Sequence, residues 1–241
     1  MNIREYKNMF MLEETHFWFV GKRMFIKQYL DPIEPSIHSI LDIGSGTGGT
    51  TKWLEHYGSI IGLEKNPYSV ALATKRGIKI VMGNAHKLPF KKESFDLVTI
   101  LDVLYHQQIL NIDSVLQETY RVLKPGGYLL ITDSALPFLF SEHDKFLFGK
   151  RRFLLKQLQQ QIPAFGFQIV KSSYIFFFIF PLILLKRKII DLIYSPKKSD
   201  VWNVNKFVNR VLIIILKLES VLLNKISFPI GSSVIILAKK N

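Results

Sequence analysis

The run Ser39-Ile40-Leu41-Asp42-Ile43-Gly44-Ser45-Gly46-Thr47-Gly48-Gly49 constrains this chain more than any other stretch. An apolar strand enters a glycine-rich turn, and an acid, Glu64, follows about twenty residues after the first glycine. That is how a nucleotide-like cofactor site is built on a parallel sheet. Glycine lets the backbone bend sharply and approach a ligand where a Cβ would collide. The later carboxylate can accept hydrogen bonds from both hydroxyls of a ribose.

Gly44, Gly46 and Gly49 satisfy G-x-G-x-x-G, whose usual ligand is a dinucleotide. Two features point elsewhere. Asp42, two residues before the first glycine, would repel a pyrophosphate and suits a ligand with positive charge. Four of the six residues from Gly44 to Gly49 are glycine and the others are small hydroxyl residues, Ser45 and Thr47, which leaves a wide floor for a bulky ligand without phosphates.

Around this turn, strand and helix signals alternate: strands near 38–43, 59–63, 78–82, 95–101 and 127–133, with helices over 47–57, 67–75 and 111–123. The alternation predicts a doubly wound α/β sheet with helices on both faces. A further helix is expected over Arg152 to Gln161, a strand over Phe165 to Val170, and a last strand from Ile230 to Lys239.

These blocks resemble the class I S-adenosylmethionine-dependent methyltransferases of the type 11 kind. Leu41-Asp42-Ile43-Gly44-Ser45-Gly46-Thr47-Gly48 is similar to their first motif, and Gly62-Leu63-Glu64-Lys65-Asn66 to the ribose-binding segment. Gly83-Asn84-Ala85-His86-Lys87-Leu88-Pro89-Phe90 resembles the adenine loop. Ser94 to Ile100 resembles the fourth strand, and Arg121-Val122-Leu123-Lys124-Pro125-Gly126-Gly127 the entry to the fifth.

The resemblance implies S-adenosylmethionine as cofactor on a seven-stranded Rossmann-like sheet, with a last strand antiparallel to its neighbour. It implies that Gly44, Ser45, Gly46, Thr47 and Gly48 hold the methionine part, with Asp42 acting through the turn and the cofactor amine. Glu64 then takes the ribose, Lys65 flanks the adenine, and Asn84, Ala85 and His86 form the adenine loop, with Leu101 and Asp102 at the end of the fourth strand. Asn84 stands where the family has Asp; the amide keeps an acceptor and loses a charge-assisted bond on the order of 1 kcal/mol. His106, just beyond the fourth strand, is the candidate general base, or a structural or cofactor-contacting histidine.

Further segments resemble a bacterial and archaeal subgroup linked to cell-surface glycan or lipid-linked saccharide pathways. They are the Phe17-Trp18 segment, His143-Asp144 with Arg151-Arg152-Phe153, and the terminal Pro229 to Ser233. Gly149 stands where that subgroup has His. Arg151 and Arg152 can clamp a substrate phosphate or simply cap a helix. His143 and Asp144 lack a third ligand at suitable spacing, so no metal is expected.

The domain reading is an N-terminal helical lid at 1–35, a cofactor domain at 36–175 and 228–241, and an inserted helical cap at 176–227. Leading into the insert, Tyr174 to Leu185 is apolar all round but far shorter than the ~20 residues of a spanning helix, and Pro181 interrupts it. Lys217 and Glu219 break the second apolar run, Val211 to Leu223.

The net charge of +13 favours an anionic partner, and the basic residues gather late, at Lys150-Arg151-Arg152, Lys186-Arg187-Lys188 and Lys197-Lys198. Clusters of this kind flanking apolar runs suit either a solvated face or peripheral attachment to an anionic membrane. The chain has no cysteine, which excludes disulfides, thiolate metal sites and a cysteine nucleophile. The start lacks an apolar signal core, so a cytoplasmic protein, peripheral at the inner membrane face, is expected. The activity expected is methyl transfer to an oxygen, less readily nitrogen or carbon, of a small-molecule, glycan or lipid-linked acceptor. The alternatives are an RNA methyltransferase, a non-catalytic binding module and a nicotinamide oxidoreductase.

Overall fold

The computed structural model describes residues 3–190 and 204–241. Lys197-Lys198 and part of the expected insert lie outside the described residues. Seven strands form one sheet: β1 (Ser39–Ile43), β2 (Ser59–Glu64), β3 (Ile80–Met82), β4 (Phe95–Leu101), β5 (Leu123–Ser134), β6 (Phe167–Ile175) and β7 (Ser233–Lys240). Their spatial order is β3-β2-β1-β4-β5-β7-β6. The first five are parallel, and β7 slots antiparallel between β5 and β6. Chain order reverses beside β1, which pairs with both β2 and β4. Open α/β sheets place ligands at such a switch point, beyond the carboxyl ends of the strands.

The helices are α1 (Ile3–Leu12), α2 (Phe17–Leu30), α3 (Gly49–Leu54), α4 (Pro67–Lys75), α5 (Ile112–Val122), α6 (Glu142–Phe146), α7 (Leu155–Gln161), α8 (Phe180–Leu185) and α9 (Lys206–Leu222). A π-helical turn, Lys186–Ile190, follows α8. The local sequence explains several boundaries. Asn111 caps α5, its side-chain oxygen accepting from Asp113 N and Ser114 N, and Ile112, Val115, Leu116, Thr119 and Val122 bury one face at helical spacing. α3 starts later than the sequence pattern implies because Gly44, Gly46 and Gly48 all take positive φ, which no helix accommodates. β5 starts earlier than expected, at Leu123, through an irregular register opposite Phe95 and Leu97.

The N-terminal lead-in is two helices with different tasks. Phe25, Ile26, Tyr29 and Leu30 of α2 are buried with Ile40 and Leu97 of the sheet, so the second half of α2 belongs to the core. Glu13 and Glu14, in the turn between α1 and α2, pair with Arg76 after α4, and Arg76 also donates to Phe10 O. That network holds α1 above the carboxyl ends of β1 and β2.

α9 crosses α2 so closely that a Cβ on Gly21 would lie 2.4 Å from Leu216 Cδ1. Asn209 accepts from Phe17 N and donates to Thr15 O, which fixes the start of α2. Trp18 stacks on Phe176 with ring centroids 4.0 Å apart. The fully buried Glu219 accepts from Phe177 N and Phe178 N, tying α9 to the chain after β6. Through these contacts the described residues after β6 and the N-terminal helices jointly wall the space above β4 and β5. No described helix is long and apolar enough to cross a membrane.

Candidate active site

A cavity of about 530 Å3 opens above the carboxyl ends of β1, β2, β4 and β5. That lies within the several-hundred-Å3 range of small-molecule sites. Asp42, Gly44, Ser45, Gly46, Glu64, Lys65, Asn84, Ala85, Leu101, Asp102 and His106 all line it, so most of the expected site converges. Thr47, Gly48 and His86 do not. The Thr47 hydroxyl donates to Glu13 Oε1 in the α1–α2 turn. Gly48 takes φ +87 at the start of α3, where a Cβ would lie 2.5 Å from Ile78 Cδ1. His86 turns back on its own loop, with Nδ1 2.8 Å from Asn84 Oδ1. Thr47 and Gly48 back the turn, and His86 stays with its own loop.

Each cradle residue has an identifiable constraint. Gly44 takes φ +76, and a Cβ there would press within 2.4 Å of Val103 Cγ2. Gly46 takes φ +56 with no atom closer than 3.9 Å to its would-be Cβ, so a side chain there would project into open space. The buried Ser45 hydroxyl has no hydrogen-bond partner among the described residues. Glu64 is held open at its strand end: Oε2 accepts from Gly46 N at 3.0 Å, and Oε1 from Lys65 N and Asn66 N. A bare turn, an unpartnered hydroxyl and a fixed carboxylate fit a ribonucleoside with a cationic amino-acid tail. S-adenosylmethionine is such a molecule, and the cradle residues fit it.

Asp42, expected to act through the glycine turn and the cofactor amine, is engaged within the fold. Both its oxygens accept short bonds inside the fold, Oδ2 from the Thr51 hydroxyl and Oδ1 from the Thr99 hydroxyl, each at 2.6 Å. Burial pushes its pKa up to about 6 against those two stabilising bonds. It pins α3 to β1 and β4 and backs the glycine turn. Asn84 Oδ1 is engaged by His86 N at 3.0 Å, so the amide is oriented by its own loop.

The sequence reading missed Lys22. It projects from α2 into the cavity, almost fully buried, and pairs with Asp102. Burial drives its pKa down to about 7, with Asp133 pulling the other way. Asp102 itself sits at φ +56, an uncommon conformation for a residue with a side chain. Such strain, costing on the order of 1 kcal/mol, concentrates at functional sites. A signal existed: Lys22 lies four residues after Trp18 and three before Phe25, on the apolar face of α2.

His106 lines the cavity with its ring 6.2 Å from that of Phe148. Burial drives its pKa down to about 4. Its Nδ1 accepts from Gln108 N at 3.2 Å, which leaves the ring proton on Nε2. Gly149 bridges to His106, and a Cβ there would lie 2.9 Å from Asp144 O and 3.0 Å from the Tyr105 ring, so only glycine fits.

Of the two arginines singled out, Arg152 lines the cavity and Arg151 does not. Arg151 donates to Ile109 O. Arg152 and Arg187 both bind the carboxylate of Asp144. Among the described residues no group of His, Asp or Glu is arranged to hold a metal.

Comparison with known proteins agrees with this geometry. The family model described as "Methyltransferase domain" (Methyltransf_11) matches residues 41–131. An uncharacterized protein of Methanocaldococcus jannaschii is 29% identical over 67% of this chain and 80% of its own length. A phthiotriol/phenolphthiotriol dimycocerosates methyltransferase of Mycobacterium ulcerans is 33% identical over 54% of this chain, which spans 44% of that relative's length. The crystal structure of a SAM-dependent methyltransferase from Thermotoga maritima superposes with a TM-score of 0.60 at 20% identity, covering 99% of this chain and 96% of that one. The structural likeness carries the fold.

Proposed function

We propose that residues 41–131, which match the family model described as "Methyltransferase domain", form a class I S-adenosylmethionine-dependent methyltransferase domain, and that the chain methylates an oxygen of a lipid-linked or glycan acceptor. One observation carries the reading: the cofactor cradle and two groups able to handle a proton, the Lys22–Asp102 pair and His106, open into a single cavity. S-adenosylmethionine, when bound, supplies a methyl already activated by its sulfonium. The residues' task is then to position the acceptor, exclude water and take up the hydroxyl proton.

Glu64 holds the ribose, Lys65 and the Asn84–Ala85 loop border the adenine, and the Gly44–Gly46 turn takes the methionine part. For the proton, Lys22 is a better acceptor than His106. An amine near pKa 7 is half-neutral at physiological pH, whereas an imidazole near 4 retains a bound proton poorly. His106 presents Nε2–H and orients the acceptor oxygen. Phe17, Trp18 and Phe19 form the apolar wall that keeps water from it.

An outward apolar row supports a membrane-surface role. Phe207, Val211, Ile214, Leu218 and Val221 recur at helical spacing on α9 and are exposed, with Lys206, Arg210 and Lys217 on the same helix. A basic helix with an exposed apolar face adsorbs to anionic lipid.

The test is incubation with methyl-labelled cofactor and fractionated lysate. Label in lipid-extractable or glycan material is expected; label confined to RNA, or no affinity for S-adenosylhomocysteine, overturns the reading. For the membrane role, the chain should sediment with phosphatidylserine vesicles, and Leu218→Ser with Ile214→Ser should release it. Loss of a dimer rather than of vesicle binding would assign the row to self-association.

A further inference from the structure

Six carboxylates line the cavity, and five of them are engaged within the fold. Glu13 accepts from the Thr47 hydroxyl and pairs with Arg76. Asp42 accepts from the hydroxyls of Thr51 and Thr99, and Glu64 from three backbone N–H groups. Asp102 pairs with Lys22, and Asp144 with Arg152. The sixth is Glu5, in the first turn of α1. It is only 6% exposed, yet among the described residues no hydrogen bond or ion pair reaches its side chain.

Taking a carboxylate out of water without a partner opposes folding. The start of α1 offers it only the partial positive charge of a helix end. No bond within the fold therefore accounts for a charged group at this position. A cation bound in the cavity does.

The face that α1 turns to the cavity shows which cation. Met9 lies over the glycine turn, its Cε 3.9 Å from the would-be Cβ of Gly46. Tyr6 lies toward the end of β2: burial, and then the charge of Glu64, push its phenol pKa up to about 12. Its ring is 6.2 Å from that of Tyr68, at the start of α4. α1 thus reaches from the turn that takes the methionine part to the carboxylate that takes the ribose. In S-adenosylmethionine the sulfonium joins those two parts. Successive helix residues differ by about 100°. Tyr6 and Phe10 turn toward α4, where Phe10 packs on Arg76 at 4.3 Å. Glu5, one position before Tyr6 and one turn before Met9, is turned away from α4, over the middle of the cavity.

We propose that Glu5 reads the charge of the methyl donor, its carboxylate pairing with the sulfonium. This rests on the methyltransferase reading and adds a specificity-determining residue to it. Glu5 raises affinity for the cationic donor and not for the demethylated product, which is neutral at sulfur. Exchange of spent product for fresh donor is thereby favoured.

The probes are S-adenosylmethionine and S-adenosylhomocysteine, titrated separately into the full chain by calorimetry. They differ only in the methyl group and the charge on sulfur. Glu5→Gln keeps the shape of the side chain and removes its charge. S-adenosylmethionine affinity should fall about tenfold, and S-adenosylhomocysteine affinity should stay unchanged. Glu5→Asp, with the same charge on a shorter arm, should give an intermediate loss. Without ligand, Glu5→Gln should melt no lower than the unmodified chain, since it relieves a buried charge. A lower melting temperature, or equal losses for the two ligands, would make Glu5 a brace for α1. Undiminished S-adenosylmethionine affinity would place it away from the sulfur. Each of these overturns the proposal and leaves the methyltransferase reading intact. Failure of the unmodified chain to bind S-adenosylhomocysteine would instead remove that reading.

Discussion

Lys22 on α2 and Asp102 at the end of β4 form an ion pair inside the cavity, joining the N-terminal helices to the strand end that borders the cofactor cradle. The pair connects a buried amine of lowered pKa with a carboxylate held at positive φ. It borders the cavity and places within it the amine proposed as proton acceptor.

If Lys22 takes the proton as proposed, the reaction should be pH-dependent. Lys22 is charged below about pH 7 and neutral above it, so the form able to accept a proton accumulates as pH rises through 7. The turnover rate should rise through that range, and Lys22→Met should lower it by about a hundredfold and flatten the profile. A pH–rate series on both proteins, with S-adenosylhomocysteine affinity as the control for an intact cradle, checks this. An unchanged slope in Lys22→Met would reject Lys22 as proton acceptor.

Gly46→Ala should separate binding from folding. The added methyl meets no atom closer than 3.9 Å, so the stability loss is confined to the left-handed backbone, about 1 kcal/mol. The same methyl projects into the cradle, and calorimetry should find S-adenosylhomocysteine affinity reduced at least about tenfold. Gly44→Ala, which collides with Val103, should cost considerably more stability.

Asn84→Asp should strengthen cofactor binding. Asn84 Oδ1 already accepts from His86 N and lies within bonding distance of its ring. A carboxylate supplies a second oxygen acceptor and a charge, for a gain of about 1 kcal/mol, or roughly fivefold in affinity. Isothermal titration of the two proteins side by side measures it; equal or weaker binding would place the adenine away from this loop.

Glu219→Ala should loosen the inserted segment. It strands the Phe177 and Phe178 N–H groups in a buried place and removes the tie between α9 and the chain after β6. The expected loss is about 2–4 kcal/mol, since each orphaned donor costs on the order of 1–2. Denaturant unfolding reads the total. Hydrogen exchange at Phe177 and Phe178 should accelerate well before exchange at β4 and β5.

The cradle was legible because its constraints are local. Gly44, Gly46, Glu64 and Asn84 lie at strand ends and tight turns whose geometry is set by a few neighbouring residues, and all four line the cavity. Thr47, Gly48 and His86 share the same motifs, but the Thr47 hydroxyl and the missing Cβ of Gly48 face inward, and the His86 ring is taken up by Asn84 of its own loop. A motif fixes which residues are near the ligand; packing behind the turn fixes which of them face it.

By itself the sequence determined the alternating, doubly wound sheet and the glycine-rich turn with its following acid. Strand and helix periodicity and positive-φ glycines are properties of short segments. Only the tertiary structure decided that Lys22 meets Asp102, that Asp42 spends its oxygens on Thr51 and Thr99, and that Arg152 and Arg187 share Asp144. Those partners lie far apart along the chain or on different elements. Their charges and pKa values depend on burial and on one another, which exist only once the helices have closed over the sheet.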